Sequence, residues 1–357
     1  MITAVLKPLA ALLLAAALVS IVLLALDASP LGVFAALWQG ACGTPIAFSD
    51  TLVKATPLIF CGLAIAIAFQ AALWNIGADG QLLVGALAAG ALGPLLTDWP
   101  HPLASAALLL AGALGGALWG GLAGWLRAHR AVNEVIATIM LNFVAVQLLS
   151  WAVHGPLMEP SRAFPKSAAI APAAQLHLYL APSRTNLGMV LGVALALASY
   201  LFLFHTANGF ELRAFGRNPR ASAFFGLPIA RLTTRTMALS GALAGLGGAV
   251  QVSAITHRLY EAFSPGWGYE AIAVALLARL NPLAVLPTAL FFGALDNGAQ
   301  AMQRAQGVSP VLVQVIQGLV IMILLAFDSP AGLRAMLSGS PIEPATPVAL
   351  SAEARDA

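Results

Sequence analysis

Charge is what this sequence has least of. Only 9% of its 357 residues are Asp, Glu, Lys or Arg, against about 25% in soluble globular domains. A chain so poor in charge cannot cover a soluble surface, and 60% hydrophobic residues point the same way. Cysteine is nearly absent: Cys42 and Cys61 show no metal spacing, and two residues of unknown placement give no disulfide framework. There is no GxxxxGK[ST] phosphate loop and no His/Cys/Glu cluster at ligand spacing, so no cofactor is expected on this chain. The six histidines (His101, His129, His154, His177, His205, His257) are scattered near the ends of apolar runs and read as interfacial. Net charge is a weak +3. The basic residues flank apolar segments, so they read as determinants of membrane topology and not as a nucleic-acid surface.

What the sequence does have is long apolar runs, without the ten-residue alternation of a barrel. The fold class is therefore all-α, a polytopic helical transmembrane bundle in a lipid membrane. Pro8–Leu26 has the 19-residue length of a retained anchor, longer than the apolar core of a secretory signal. Residues 27–54 are mixed and read as a short interfacial or re-entrant piece. Further spans are predicted at Thr56–Ala72, Leu82–Leu96, Leu103–Leu126, Val135–Val153, Leu187–Phe204, Met237–Ile255, Leu283–Ala299 and Val311–Phe327. The segment 268–282, GYEAIAVALLARLNP, is short and reads as a broken helix. Counting 264–280 as a crossing gives about ten spans, with eight or nine if the mixed segments do not cross. Residues 1–335 then form one transmembrane domain, with proline-rich 154–186 as an external loop and 336–357 as a disordered tail.

Ten spans put both termini on one side. Lys7, Arg127, Arg130, Arg213, Arg217, Arg220, Arg231, Arg235, Arg279, Arg334 and Arg355 share that side. Lys54, Arg162, Lys166, Arg184, Arg258 and Arg304 fall on the other. The richer side is cytoplasmic by the positive-inside rule. The densest charge is residues 208–235, NGFELRAFGRNPRASAFFGLPIARLTTR, with five arginines and one acid, Glu211. Each arginine at the centre of a bilayer costs at least about 2.5 kcal/mol, so this stretch lies in water at the cytoplasmic face.

Two patterns bear on what the bundle does. Gly112, Gly116, Gly120 and Gly124 recur at steps of four, placing them on one helix face where another backbone can approach. They serve packing within one subunit or a sliding or dimer contact. The same small-residue pattern recurs at Ser240, Ala244 and Gly248. Ionisable residues within spans are few: Asp79, Glu134, Glu270 and Asp296, with Glu134 placed to favour its own helix dipole. That is thin for proton or sodium coupling. Uncharged polar residues are better supplied, among them Asn75, Gln81, Asn142, Gln147, Gln251, Asn297, Gln314 and Gln317. Asn75, Asp79, Gln81, Asn142, Asp296 and Asn297 are the candidates for lining a path for a small polar solute, with helix packing as the other reading of Asn142, and a helix-packing hydrogen bond or a solvated end of span as that of Asp296.

Four blocks stand out: LWNIGADGQ (73–81) with the following LLVGALAAG, VNEVIATIMLNF (132–143), AFGRNPRASAFFGLPIAR (214–231) and GYEAIAVALLARLNPLAVLPTALFFGAL (268–295). Together they resemble the permease subunits of bacterial ABC importers of the branched-chain amino acid, ribose and nucleoside type. The likeness spans roughly residues 50–330 and is nearest to nucleoside and simple-sugar permeases. One departure is Asp79, where the family carries Glu. The resemblance implies a pair of permease chains, identical or similar, an external solute-binding protein, and cytoplasmic ATP-binding subunits that hold ATP and Mg²⁺. It also implies that Pro219–Phe225 is a coupling helix seated in the ATPase. Its chemistry suits this: Asn218 as N-cap, Pro219 at the first helical position and Gly226 as a stop. Small Ala221 and Ala223 allow close seating, and Arg217 and Arg220 meet acidic groups. A stand-alone secondary transporter or channel and a non-transporting scaffold are the competing readings. The first calls for internal repeats that the sequence does not display.

Overall fold

The computed structural model describes residue 14 and residues 16–24, 28–176, 186–309 and 311–328. The expected tail 336–357, much of the first apolar run and residues 177–185 of the expected loop lie outside these. The described residues form helices, turns and isolated bridges, with no strand among them.

The helices follow in order: α1 (Pro30–Cys42), α2 (Pro45–Gln70), α3 (Ala78–Leu92), α4 (His101–Arg130), α5 (Glu134–His154), α6 (Leu187–His205), α7 (Ala207–Arg217), α8 (Pro219–Phe224), α9 (Ile229–Gln251), α10 (Trp267–Leu277) and α11 (Pro282–Gln306). A π-helical turn, Val252–Thr256, prolongs α9, and a 3₁₀ turn, Gly93–Leu96, prolongs α3. Six of these, α2 to α6 and α9 with their extensions, are long and apolar enough to cross a membrane. By contact, the described residues up to 30 with 311–328 form one compact unit and those from 31 to 309 another. In the first, residues 16–24 and α12 (Val311–Asp328) are helical.

The second unit is built around α2. Every residue from Ala55 to Ala68 is buried, as expected of a helix that is apolar all round. The reading of 27–54 as one short interfacial piece, with a span opening at Thr56, is corrected. Thr44 accepts the Ala47 N–H at 3.0 Å and Pro45 opens α2, which runs through Lys54 and Pro57. Lys54 and Pro57 resemble a boundary in sequence. Lys54 stays inside the helix because its ammonium reaches Asp296 at 2.8 Å.

Around α2, α9 packs against α3 and α4 through glycine. A Cβ on Gly116 would strike the Gly241 carbonyl, and one on Gly120 the Met237 carbonyl. One on Gly112 would strike Ala249, and one on Gly124 would lie 2.7 Å from the Met237 Cβ. The four glycines of α4 therefore meet α9 of the same chain, where the lack of side chains lets backbones touch. Gly85 against Gly245, and Gly248 against the Leu82 carbonyl, bring α3 into the same contact. The outer faces of α4 and α6 are apolar, with Leu110, Leu114, Leu118 and Leu122 on one and Val190, Val193, Leu197 and Leu201 on the other.

Segment 264–280 is not one crossing helix. α10 has 11 residues, about 16 Å at 1.5 Å per residue, half of a hydrocarbon core of about 30 Å. Arg279 and Leu280, both at positive φ (51° and 58°), turn the chain, and Asn281 caps α11.

Candidate functional site

α2 ends at Gln70, and Ala72 at φ 53° turns the chain back into the bundle. The seven residues that follow α2 are not helical, and Asn75 among them has no exposed surface. Such backbone survives at membrane depth only where protein buries it or it lines a cavity. The Asn75 amide donates to Gln81 Oε1 at 2.9 Å and to Ser240 Oγ at 2.8 Å. Its oxygen accepts from the Gly77 N–H at 2.9 Å and Gln81 Nε2 at 3.0 Å. Ser240 in turn donates to the Ala64 carbonyl at 2.6 Å. Asn142 of α5 closes the other side, accepting the Gly80 N–H at 2.9 Å and donating to the Ile76 carbonyl and the Tyr269 hydroxyl, both at 2.9 Å. Asn142 is eight residues into α5 and Ser240 eleven into α9. The knot therefore sits about 12–17 Å inside the bundle.

Two helix N-termini meet here. Asp79, in the first turn of α3, is buried, and its Oδ1 accepts the Gly268 N–H at 3.0 Å and the Ser264 hydroxyl at 2.8 Å. Gly268 lies in the first turn of α10, and a Cβ on it would collide with the Asp79 backbone. One carboxylate thus faces the positive ends of α3 and α10. An Asp79→Asn variant keeps the shape and an acceptor oxygen but loses the charge. It is expected to lower stability by about 1–2 kcal/mol, read as a lowered unfolding midpoint in detergent. An unchanged midpoint would contradict the charge–dipole role.

The structure brings Asn75, Asp79, Gln81 and Asn142 together and places Asp296 and Asn297 elsewhere. Asn297 Nδ2 donates to the Gly40 carbonyl at 2.9 Å, the Ala47 carbonyl at 2.8 Å and Thr51 Oγ1 at 3.2 Å, tying α11 to α1 and α2. Asp296 is half exposed beside Lys54. Ser264, Gly268 and Tyr269 are members of the knot that sequence reading did not single out. Ser240 was marked only as part of the small-residue packing run of α9, not as a polar partner of Asn75.

At the end of the bundle where α9 finishes, Glu159 joins two loops. Its carboxylate meets Arg258 at 2.6 Å, Lys166 at 3.2 Å and the Ser161 hydroxyl at 2.6 Å. The Ser167 N–H donates to the Leu259 carbonyl at 3.0 Å, and the Leu259 N–H to Ser167 Oγ at 2.9 Å. The Ser161 hydroxyl first, then Lys166 and Arg258, hold the Glu159 carboxyl below its ordinary range. A depressed folded value means that the latch contributes fully above the unfolded value of about 4.3 and fades as pH falls below it. The protection of the Ser167 and Leu259 amides, taken relative to their intrinsic exchange rates at each pH, should hold from pH 7 to about pH 5 and fall below about pH 4. Glu159→Gln should exchange fast throughout, and equal protection in both proteins would contradict the latch.

The opposite end carries the arginines. α7 buries Gly209, Leu212 and Phe215. It lies against the end of α2, where a Cβ on Gly216 would strike the Gln70 carbonyl. Arg213 donates to the Leu203 carbonyl at 2.9 Å and stacks over Phe204 at 4.9 Å. α8 then runs from Pro219 to Phe224, with Asn218 Oδ1 accepting the Ala221 N–H at 3.0 Å. Gly226, at φ 80°, ends the turn. Arg217, Arg220, Ala223 and Gly226 are exposed and Ala221 half-buried, while Phe224 and Phe225 are 88% and 82% exposed.

One polar side chain breaks an outward face. Ile136, Met140, Phe143, Gln147 and Trp151 of α5 are exposed and fall within about 40° of Gln147 at 100° per residue. Gln147 lies seven residues from the end of α5, about 10 Å inside the helix, with an amide that lipid cannot satisfy.

Long apolar helices, a re-entrant break and two helix N-termini around buried polar groups define a multi-pass α-helical membrane protein of the transport class. Residues 47–325 match the family model described as branched-chain amino acid transport system / permease component. The chain belongs to that family of ABC transporter permeases, which are transport subunits and not enzymes. It is 34% identical to a glucose ABC transporter permease of Haloferax volcanii, over 90% of this chain and 87% of that one. It is 32% identical to a guanosine ABC transporter permease of Bacillus subtilis, over 89% and 92%. A nucleoside ABC transporter permease of Lactococcus lactis is 30% identical, over 89% of each. Each of these species also supplies a second, more distant permease match, at 23–28% identity. No solved structure matches significantly.

Proposed function

We propose that this chain and a second, related permease chain form the path of an ATP-driven importer in a bacterial inner membrane, taking up nucleosides or simple sugars from an external binding protein. The observation that carries the coupling is α8, a capped, exposed helix at the arginine-rich end, where among the described residues Arg217 and Arg220 form no ion pair. Arg217, Asn218, Pro219, Arg220, Ala221, Ala223 and Gly226 form the contact with a cytoplasmic ATPase, which holds ATP and Mg²⁺. The positive-inside rule puts this end in the cytoplasm; about ten spans, with the broken segment 257–280 counted as one crossing made of a loop and the half-length α10, would leave both termini there.

The knot is the fixed wall of the path. Both donors and both lone pairs of the Asn75 side chain are used inside the protein. Asn75, Gln81, Asp79 and Asn142 therefore hold the broken helix in place, and Asp296 and Asn297 fix the far end of α11. The free amide of Gln147 faces the second chain, and the paired permeases of three species support a partner that is similar and not identical. The substrates named for the relatives, glucose, guanosine and nucleoside, support this solute class. Uptake of labelled nucleosides and hexoses by cells carrying the full system tests it: saturable uptake of one class, lost on deleting this chain, is expected. Equal uptake without the chain would contradict the reading.

A further inference from the structure

The start of α9 carries features that neither the coupling helix nor the knot uses. Beside it opens a cavity of about 760 Å³, lined by His129 from the end of α4 and by Arg231, Thr234, Arg235 and the turn Pro228–Ala230. Arg231 and Arg235 are one helical turn apart, so they share a face. Both are exposed, and among the described residues neither is paired with an acid. α9 begins at Ile229, and Pro228 before it offers no side-chain cap. Its first N–H groups therefore add partial positive charge on the same side.

Arg235 also lines a second, narrower slot of about 130 Å³ between α6, α7 and α9. Phe202, Leu212, Leu232 and Leu239 make that slot apolar, with Asn208 and Glu211 beside the arginine. Glu211 is the one acid there and does not come within ion-pair distance of Arg235. One arginine thus joins a basic cavity to an apolar slot at the point where an apolar span begins. A phosphate group suits the cavity. Free phosphate leaves the slot empty, whereas a lipid fills both.

We propose that the basic start of α9 binds an anionic phospholipid, its phosphate held by Arg231, Arg235 and His129 and an acyl chain lying in the slot beside Leu232 and Leu239. This goes beyond the transport reading, since it needs only that α9 crosses a membrane. Basic pockets at span ends are suited to such headgroups.

The test titrates a fluorescent short-chain phosphatidylglycerol into the purified full chain in neutral detergent, with phosphatidylcholine and inorganic phosphate as the other arms. Phosphatidylglycerol is expected to bind saturably, roughly tenfold or more tighter than phosphatidylcholine. Arg231→Gln with Arg235→Gln should weaken it by roughly tenfold or more, with gel-filtration profile and helix content unchanged. Arg235→Gln alone, should the double variant not fold, is expected to weaken binding severalfold, and Arg235→Lys to retain most of it. Equal binding of phosphatidylcholine, or undiminished phosphatidylglycerol binding by the glutamine variants, would overturn the site. Full displacement by equimolar inorganic phosphate would overturn the lipid in favour of a free anion. Retained lipid affinity in the glutamine variants with lost ATPase association would assign the arginines to the protein partner instead.

Discussion

Deleting Asn218–Gly226 is expected to abolish ATP-driven uptake while the chain still inserts in the membrane. The deletion removes α8 with its cap and stop but leaves α7 with its buried Leu212 and Phe215 and with the close approach of Gly216 to Gln70 of α2. The spans on either side keep their own packing, so membrane levels in an immunoblot should stay near those of the parent. Graded variants dissect the loss. Asn218→Ala removes one cap, worth about 1 kcal/mol, and should lower uptake partially. Phe224→Ala removes an 88% exposed ring that meets the edge of Phe225. Buried aromatic anchors often cost 2 kcal/mol or more at interfaces, so a larger loss of ATPase association is expected there. Unaltered uptake by the deletion would remove α8 from the coupling step.

The second large effect is structural. Gly116→Val places a branched side chain where even a Cβ would strike the Gly241 carbonyl, with Gly245 backbone 2.7 Å away. The obstruction is main chain on a buried helix, so no rotamer relieves it. Overpacking usually costs 1–3 kcal/mol, and here the two helices must part along the whole row from Gly112 to Gly124. The expected result is loss of the monodisperse gel-filtration peak. Gly121→Val is the control, because a Cβ there meets nothing closer than Ala238 at 3.4 Å, and it should behave as the parent does. Equal behaviour of the two variants would show that α4 and α9 do not meet through this row.

Much of the bundle is readable from apolar length, because a helix in lipid must satisfy every backbone group internally. Spans α2 to α6 and α9 all fall where apolar runs occur. The start of α2 was hidden, because Lys54 and Pro57 look like an end and the partner that keeps Lys54 inside, Asp296, lies 242 residues away. α8 was legible for the opposite reason: Asn218, Pro219 and Gly226 are local signals, and local geometry follows from them. The polar knot was half legible. Asn75, Asp79, Gln81 and Asn142 stand out as amides and an acid among apolar residues, yet no pattern links Asn142 to Tyr269, or Asp79 to Gly268. Those pairings arise only when α3 and α10 start beside one another.

The central claim is that solute movement through this chain is driven by ATP on a partner and transmitted through α8. Proteoliposomes holding this chain, a second permease and the ATPase, with the binding protein and labelled solute outside, test it most directly. Accumulation is expected only with ATP on the ATPase side, and should vanish in the Asn218–Gly226 deletion. Accumulation driven by a proton or sodium gradient in liposomes containing this chain alone would contradict it.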